Sequence, residues 1–119
     1  MSEATRQGRI EISPRAIATV AGDAVLRCYG VVGVASKNLI GGLADLLQPD
    51  RWGRGVDVRM RDGAVVIDLY VVVQYGTRIS EVAHGVMSSV KYSLEQVLGL
   101  PVAEVNVHVQ GLRMLNDSD

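Results

Sequence analysis

Asp62-Gly63 is the dipeptide that most constrains this chain, because of what flanks it. Before it, Val56, Val58 and Met60 alternate with Asp57, Arg59 and Arg61; after it, Ala64 to Tyr75 is nearly all aliphatic or tyrosine, with Asp68 in the middle. Asp-Gly favours a two-residue type I′ turn, whose central residues both take positive φ. A loop that short sets the pairing: Met60 faces Val65, Val58 faces Ile67 and Val56 faces Leu69. Each apolar residue then meets an apolar partner on one face, so turn chemistry and alternation specify the same register. The hairpin predicts a sheet with one buried side. Asp68 also breaks the best apolar run, well short of the ~20 residues a membrane helix needs. The second strand outruns its partner, and its unpaired half would be an aggregation-prone edge. Its expected place is the centre of the sheet.

Helical patterns lie on both sides of the hairpin. Ser13-Pro14 reads as an N-cap followed by a first helical residue that needs no N–H donor, and Ile17, Val20, Ala21, Ala24 and Cys28 recur at helical spacing behind it. Ser80 to Leu98 predicts a second helix, with Ile79, Val82, Ala83, Val86, Val90, Leu94, Val97 and Leu98 as its apolar stripe and Glu81, His84, Ser88, Lys91 and Glu95 on its wet face. Gly99, Leu100 and Pro101 end it with a hydrophobic clasp and a breaker. Arg9 to Ile12 is a short strand, and Glu104 to Gln110 a final one with Val105, Val107 and Val109 inward and Asn106, His108 and Gln110 outward. The predicted fold is α+β: a two-layer sandwich of order β-α-β-β-α-β, with two helices packed on one face of a mostly antiparallel sheet. Ferredoxin-like connectivity has this order, and the brevity of the first strand leaves a three-stranded core open. Residues 1–8 read as a flexible N-terminus, 9–113 as one domain and 114–119 as a polar tail.

Composition narrows the function classes. A chain of 119 residues buries one core without metal or disulfide staples. Cys28 is the single cysteine, so no disulfide forms within the chain and a reducing compartment is the simpler expectation. Net charge is -1, which exerts no global pull on nucleic acid or anionic lipid. The first residues, MSEATRQGRIEI, hold no apolar signal segment, and a cytoplasmic location is expected.

The blocks GRIEIS, CYGVVGVASKN, VVIDLYVVVQYGTRISEVAH and VAEVNVHVQGLRM resemble the alkaline shock protein family of Gram-positive bacteria, also called envelope stress response proteins. The likeness covers about nine-tenths of the chain, is weakest between Gln48 and Arg54, and is closest to small members that contain just this domain. It implies a non-enzymatic cytoplasmic protein linked to cell-envelope homeostasis and capable of self-association. Some members gather beneath the membrane through a membrane-anchored partner. The family supplies no catalytic residues to carry over.

The outer sheet face is the first candidate surface: Asp57, Arg59, Asp68, Tyr70, Gln74, Asn106, His108 and Gln110 should point away from the helices. The turn register sets Asp57 opposite Asp68, an unfavourable like-charge pair that Arg59, diagonal to Asp68, offsets. Solvent alone accounts for most of these positions, but not for Val66, Tyr70 and Val72 on one strand face, which predict burial by a partner or a second copy. The two aspartates lack a third ligand for a cation. His84, His108 and Cys28 match no zinc spacing, and no nucleophile, base and oxyanion site assemble. No cofactor, metal or catalytic activity is expected.

The connector from Gly30 to Gly55 carries Lys37, Arg51, Trp52 and Arg54. Gly41-Gly42 before Leu43 resembles no phosphate-binding fingerprint, and Leu39, Leu43, Leu46 and Leu47 read as a hydrophobic flap. Trp52 between arginines matches interface hot-spot composition. The first functional reading is therefore a protein–protein interaction module that uses Trp52, Arg59, Val66, Asp68, Tyr70, Val72 and His108 to self-associate or dock on a membrane-linked partner. The alternative is a nucleic-acid or phosphometabolite binder using Lys37, Arg51, Arg54, Arg59 and Arg61.

Overall fold

A computed structural model describes residues 2–4, 6–35 and 55–114 of the chain. The connector residues 36–54, and with them Trp52, Lys37, Arg51, Arg54 and the leucine flap, lie outside the described residues, as does the end of the polar tail. The elements run β1 (Ser2–Ala4), β2 (Arg9–Glu11), α1 (Pro14–Leu26), β3 (Val31–Val34), β4 (Val56–Arg61), β5 (Ala64–Gln74), α2 (Ile79–Ser93), a π turn (Leu94–Leu98) and β6 (Val102–Arg113).

Local chemistry accounts for most boundaries. Ser13 Oγ accepts from the Ala16 amide at 3.1 Å and Pro14 starts α1. Asp62 (φ 52) and Gly63 (φ 82) form the turn between β4 and β5, in the expected register: Met60 with Val65, Val58 with Ile67, Val56 with Leu69. Gly99 (φ 68) stops the second helical segment, and Leu100 folds under it, 6% exposed.

β5 is the spine of the sheet. One edge pairs antiparallel with β4 over Ala64–Leu69 and then with β3 over Val71–Val73, so the two partners lie end to end. The other edge pairs parallel with β6 along its whole length. The two described helices cover one face. Val65, Ile67, Leu69, Val71 and Val73 are all 0% exposed beneath them, with Ile17, Val25, Val86, Val90 and Leu94 on the helix side. Burial at about 25 cal/mol per Å² of apolar surface makes this layer the main stabilising contribution.

The α+β two-layer class, the helices on one face and the central place of the long strand are as the sequence predicts; details differ, among them Ile79, predicted in the apolar stripe but 39% exposed, and the last strand, which runs Val102–Arg113 rather than Glu104–Gln110. Arg9–Glu11 does not enter the main sheet; it pairs with Ser2–Ala4, so the region read as a flexible terminus carries a strand. Val31–Val34, inside the supposed connector, is a strand because it completes the edge of β5 beyond Val56. The order is thus β-β-α-β-β-β-α-β, with the main sheet three strands wide. The predicted helix to Leu98 becomes a π turn after Ser93; the wider turn rotates the stripe, leaving Val97 67% exposed while Leu94 is fully buried. Val109, predicted inward, is 36% exposed on an edge strand that the helices cover only in part.

Candidate interaction surface on the open sheet face

The parity that buries the odd residues of β5 sends its even residues to the opposite face. Asp57 and Asp68 stand in register, as the turn requires. Arg59 Nη2 reaches Asp68 Oδ2 at 2.6 Å from β4, and His108 Nε2 reaches Asp68 Oδ1 at 2.9 Å from β6. Both flanking strands therefore hold one carboxylate, whose side chain is only 13% exposed. The hydrogen bond from His108 is the leading cause that lowers the Asp68 pKa below 3.8; desolvation opposes it, and Arg59 and Asn106 add to it.

Tyr70 is placed by its own backbone. Its N–H donates to Gly55 O at 2.8 Å, and its C=O accepts from the Ala35 amide at 2.7 Å. The connector thus leaves and re-enters the sheet at Tyr70, where β3 and β4 meet. Gly55 is required there: at φ +68 a Cβ would collide with the Val34 side chain and the Ala35 carbonyl. The Tyr70 ring stacks on His108, centroids 4.6 Å apart and 13° from parallel. Arg59, Asp68, His108 and Tyr70 form one connected network.

The structure separates the remaining candidates. Val66 is 3% exposed, which removes it from any accessible surface. Its register partners are Arg59 and Glu104, and Arg61 bonds Glu104 at 2.7 Å from β4 to β6, across β5, closing over it. Val72 is half-buried and lies between Gly33 on β3 and Gly111 on β6. At neither glycine would an added Cβ meet anything within 4 Å. Val72 is therefore the apolar floor of a notch walled on one side by the Tyr70–His108 stack.

Glu104, Gly33 and Gly111 were missed in the sequence. Glu104 shares the alternation of Asn106 and His108 and was readable from it; the glycines gain meaning only from cross-strand register. Among the described residues no group of three or more His, Cys, Asp or Glu could hold a metal, and both Asp68 oxygens are already engaged. His84 is apart from the network, exposed on α2 and bonded to Ser80 O. No helix among the described residues is long and apolar enough to cross a membrane.

The chain has relatives among known proteins. The chain is 50% identical over 113 residues to "Uncharacterized protein YloU" of Bacillus subtilis, covering 94% of each chain. It is 39% identical over 115 residues to "Uncharacterized protein Spy1614" of Streptococcus pyogenes, covering 96% of this chain and 95% of that one. Among solved structures it is similar to "MamM-CTD 215-293", with a TM-score of 0.52 and 14% identity over 83% of this chain and 99% of that chain. It is also similar to "MamM CTD - Copper form", with a TM-score of 0.50 and 14% identity over 89% and 90%. At such identities these show a shared fold alone. The family model described as "Asp23 family, cell envelope-related function" matches residues 2–114. The chain belongs to the Asp23 family, whose described function is related to the cell envelope.

Proposed function

We propose that this chain is a non-enzymatic protein–protein interaction module of cell-envelope homeostasis, acting in the cytoplasm and brought near the membrane by a protein partner. The observation that carries the reading is the notch on the open sheet face. Val72 lies between two glycines beside a stacked Tyr70–His108 pair, while Arg59 and Asp68 hold fixed charges next to it. An apolar floor, an aromatic wall and oriented ions match the anatomy of interface hot spots. The family's envelope-related description supports the setting. Of the residues a nucleic-acid reading would use, Arg59 and Arg61 pair with Asp68 and Glu104, and Lys37, Arg51 and Arg54 lie outside the described residues.

In-cell photo-crosslinking from Val72 tests the reading, with exposed Glu81 on the helix layer as control. A discrete protein adduct from position 72, lost on Tyr70→Ala, is the expected result. Equal adducts from both positions, or an adduct indifferent to Tyr70→Ala, would defeat it.

A further inference from the structure

Where α1 ends and α2 begins, the helix layer holds an open groove of about 580 Å³, within the ~300–1,000 Å³ of small-molecule sites. Two pinned corners form its mouth. In the first, Cys28 N–H donates to Val25 O at 3.0 Å, Val31 N–H to Cys28 O at 3.3 Å and Gln74 N–H to Gly30 O at 2.8 Å. Gly30, at φ +86, lies so close to Val82 that a Cβ there would stand 2.5 Å from its Cγ2. With Cys28 half-buried and Gly30 against Val82, Tyr29 between them projects outward. At 81% it is the most exposed large hydrophobic among the described residues. In the second corner the Thr77 hydroxyl donates to Gln74 O at 2.7 Å and Val82 N–H to Arg78 O at 3.0 Å, which sets Arg78 at the start of α2. Arg27, Tyr29 and Arg78 thus line the groove from separate elements, with Gly85 and Ser89 of α2 as its wall. A Cβ added at Gly85 would meet nothing within 4 Å, so the space beside that turn is open.

The charged lining is weighted toward cations, with Arg27 and Arg78 against Glu81 alone. Arg27 bonds Asp23, and Arg78 Nη1 bonds Glu81 Oε1 at 3.1 Å. Both are exposed pairs within one helical turn, a kind that contributes little and yields readily to another anion. They orient the guanidinia without exhausting them: Nη1 of Arg27 and Nη2 of Arg78 carry no hydrogen bond among the described residues. We propose that this groove binds a small organic phosphate with a planar ring, the chemistry of a nucleotide. Guanidinia approaching from two sides grip a tetrahedral phosphate through several oxygens at once, whereas a carboxylate is satisfied in one plane by a single arginine. Tyr29 offers an aromatic face on which a planar ring stacks, and the open space at Gly85 admits the body that joins ring to phosphate. The groove lies in the helix layer, on the opposite side of the sheet from the notch around Val72, so the inference does not rest on the proposed function.

Titration of the whole chain with ADP, followed by amide NMR shifts, is the test. The expected shifts cluster at residues 27–30 and 76–89. Inorganic pyrophosphate and adenosine are the component probes, and each should bind at least about tenfold more weakly than ADP. Arg27→Gln and Arg78→Gln should each weaken ADP binding about tenfold, and Tyr29→Ala should bring ADP down to the affinity of pyrophosphate. Gly85→Leu fills the groove and should abolish binding while the urea midpoint holds or rises, because a better helix former replaces a helix-interior glycine. Ser89→Leu, on the same wall, is the second variant should the first fail to fold. Absence of shifts at millimolar ADP, shifts centred on the sheet face around Val72, binding unchanged in both leucine variants, or either component bound as tightly as ADP overturns the proposal. Tyr70→Ala is expected to leave the titration unchanged, which separates this result from failure of the notch.

Discussion

An ion pair on a solvated sheet face ordinarily contributes little, because water competes for both partners and salt screens them. Asp68 departs from that case. Its side chain is 13% exposed and each oxygen has a partner from a different strand. With its pKa lowered in the folded state, the group contributes stability above its ordinary value, and that contribution is lost as pH falls through the depressed one. Asp68→Asn should therefore lower the urea midpoint most near neutrality, and the gap to wild type should close as pH drops below 3.8. A gap that stays constant with pH would show that the carboxylate's charge is not what matters. At this scale Arg59 was legible, because a two-residue turn places it diagonal to Asp68. His108 was legible only as an outward side chain, since nothing local sets β6 beside β5.

Two glycines of the same strand environment separate backbone geometry from packing. Gly63 at φ 82 has open space where a Cβ would stand, whereas Gly55 at φ 68 has Val34 and the Ala35 carbonyl there. Both substitutions to alanine incur the cost of a left-handed conformation, about 1–2 kcal/mol. Gly55→Ala adds overpacking of about 1–3 kcal/mol. Chemical denaturation should thus rank Gly55→Ala clearly below Gly63→Ala; equal midpoints would mean that the junction of β3 and β4 yields freely. The turn at Gly63 was readable from its dipeptide. The role of Gly55 was not, because the clash comes from a strand about twenty residues earlier in the chain.

For the molecule as a whole, stability concentrates in β5, which is hydrogen-bonded along both edges and buried on one face. Amides of β5 should exchange with solvent most slowly, near the rate of global unfolding, and those of β1 and β2 fastest among the strands. Leu69→Ala, at a fully buried site, should cost about 2–5 kcal/mol, whereas Val72→Ala in the open notch should cost about 1 kcal/mol or less. Similar losses at the two sites would mean that the outer face is covered in the free protein, against the docking reading.

By itself the sequence determined the hairpin register, the parity of β5, the start of α1 and the stop after Leu98, because turn dipeptides, caps and two-residue alternation act over a few neighbouring residues. Tertiary structure decided which strands flank β5. A long connection through α2 imposes no register on β6; the packing of Val102, Val105 and Val107 against the core, with the ladder to β5, sets His108 beside Asp68 and Gly111 beside Val72. The same long-range fit joined β3 end to end with β4 and closed Arg61 and Glu104 over Val66. Interactions between segments far apart in the chain leave no local pattern to read, which is why the network was half visible and the notch was not.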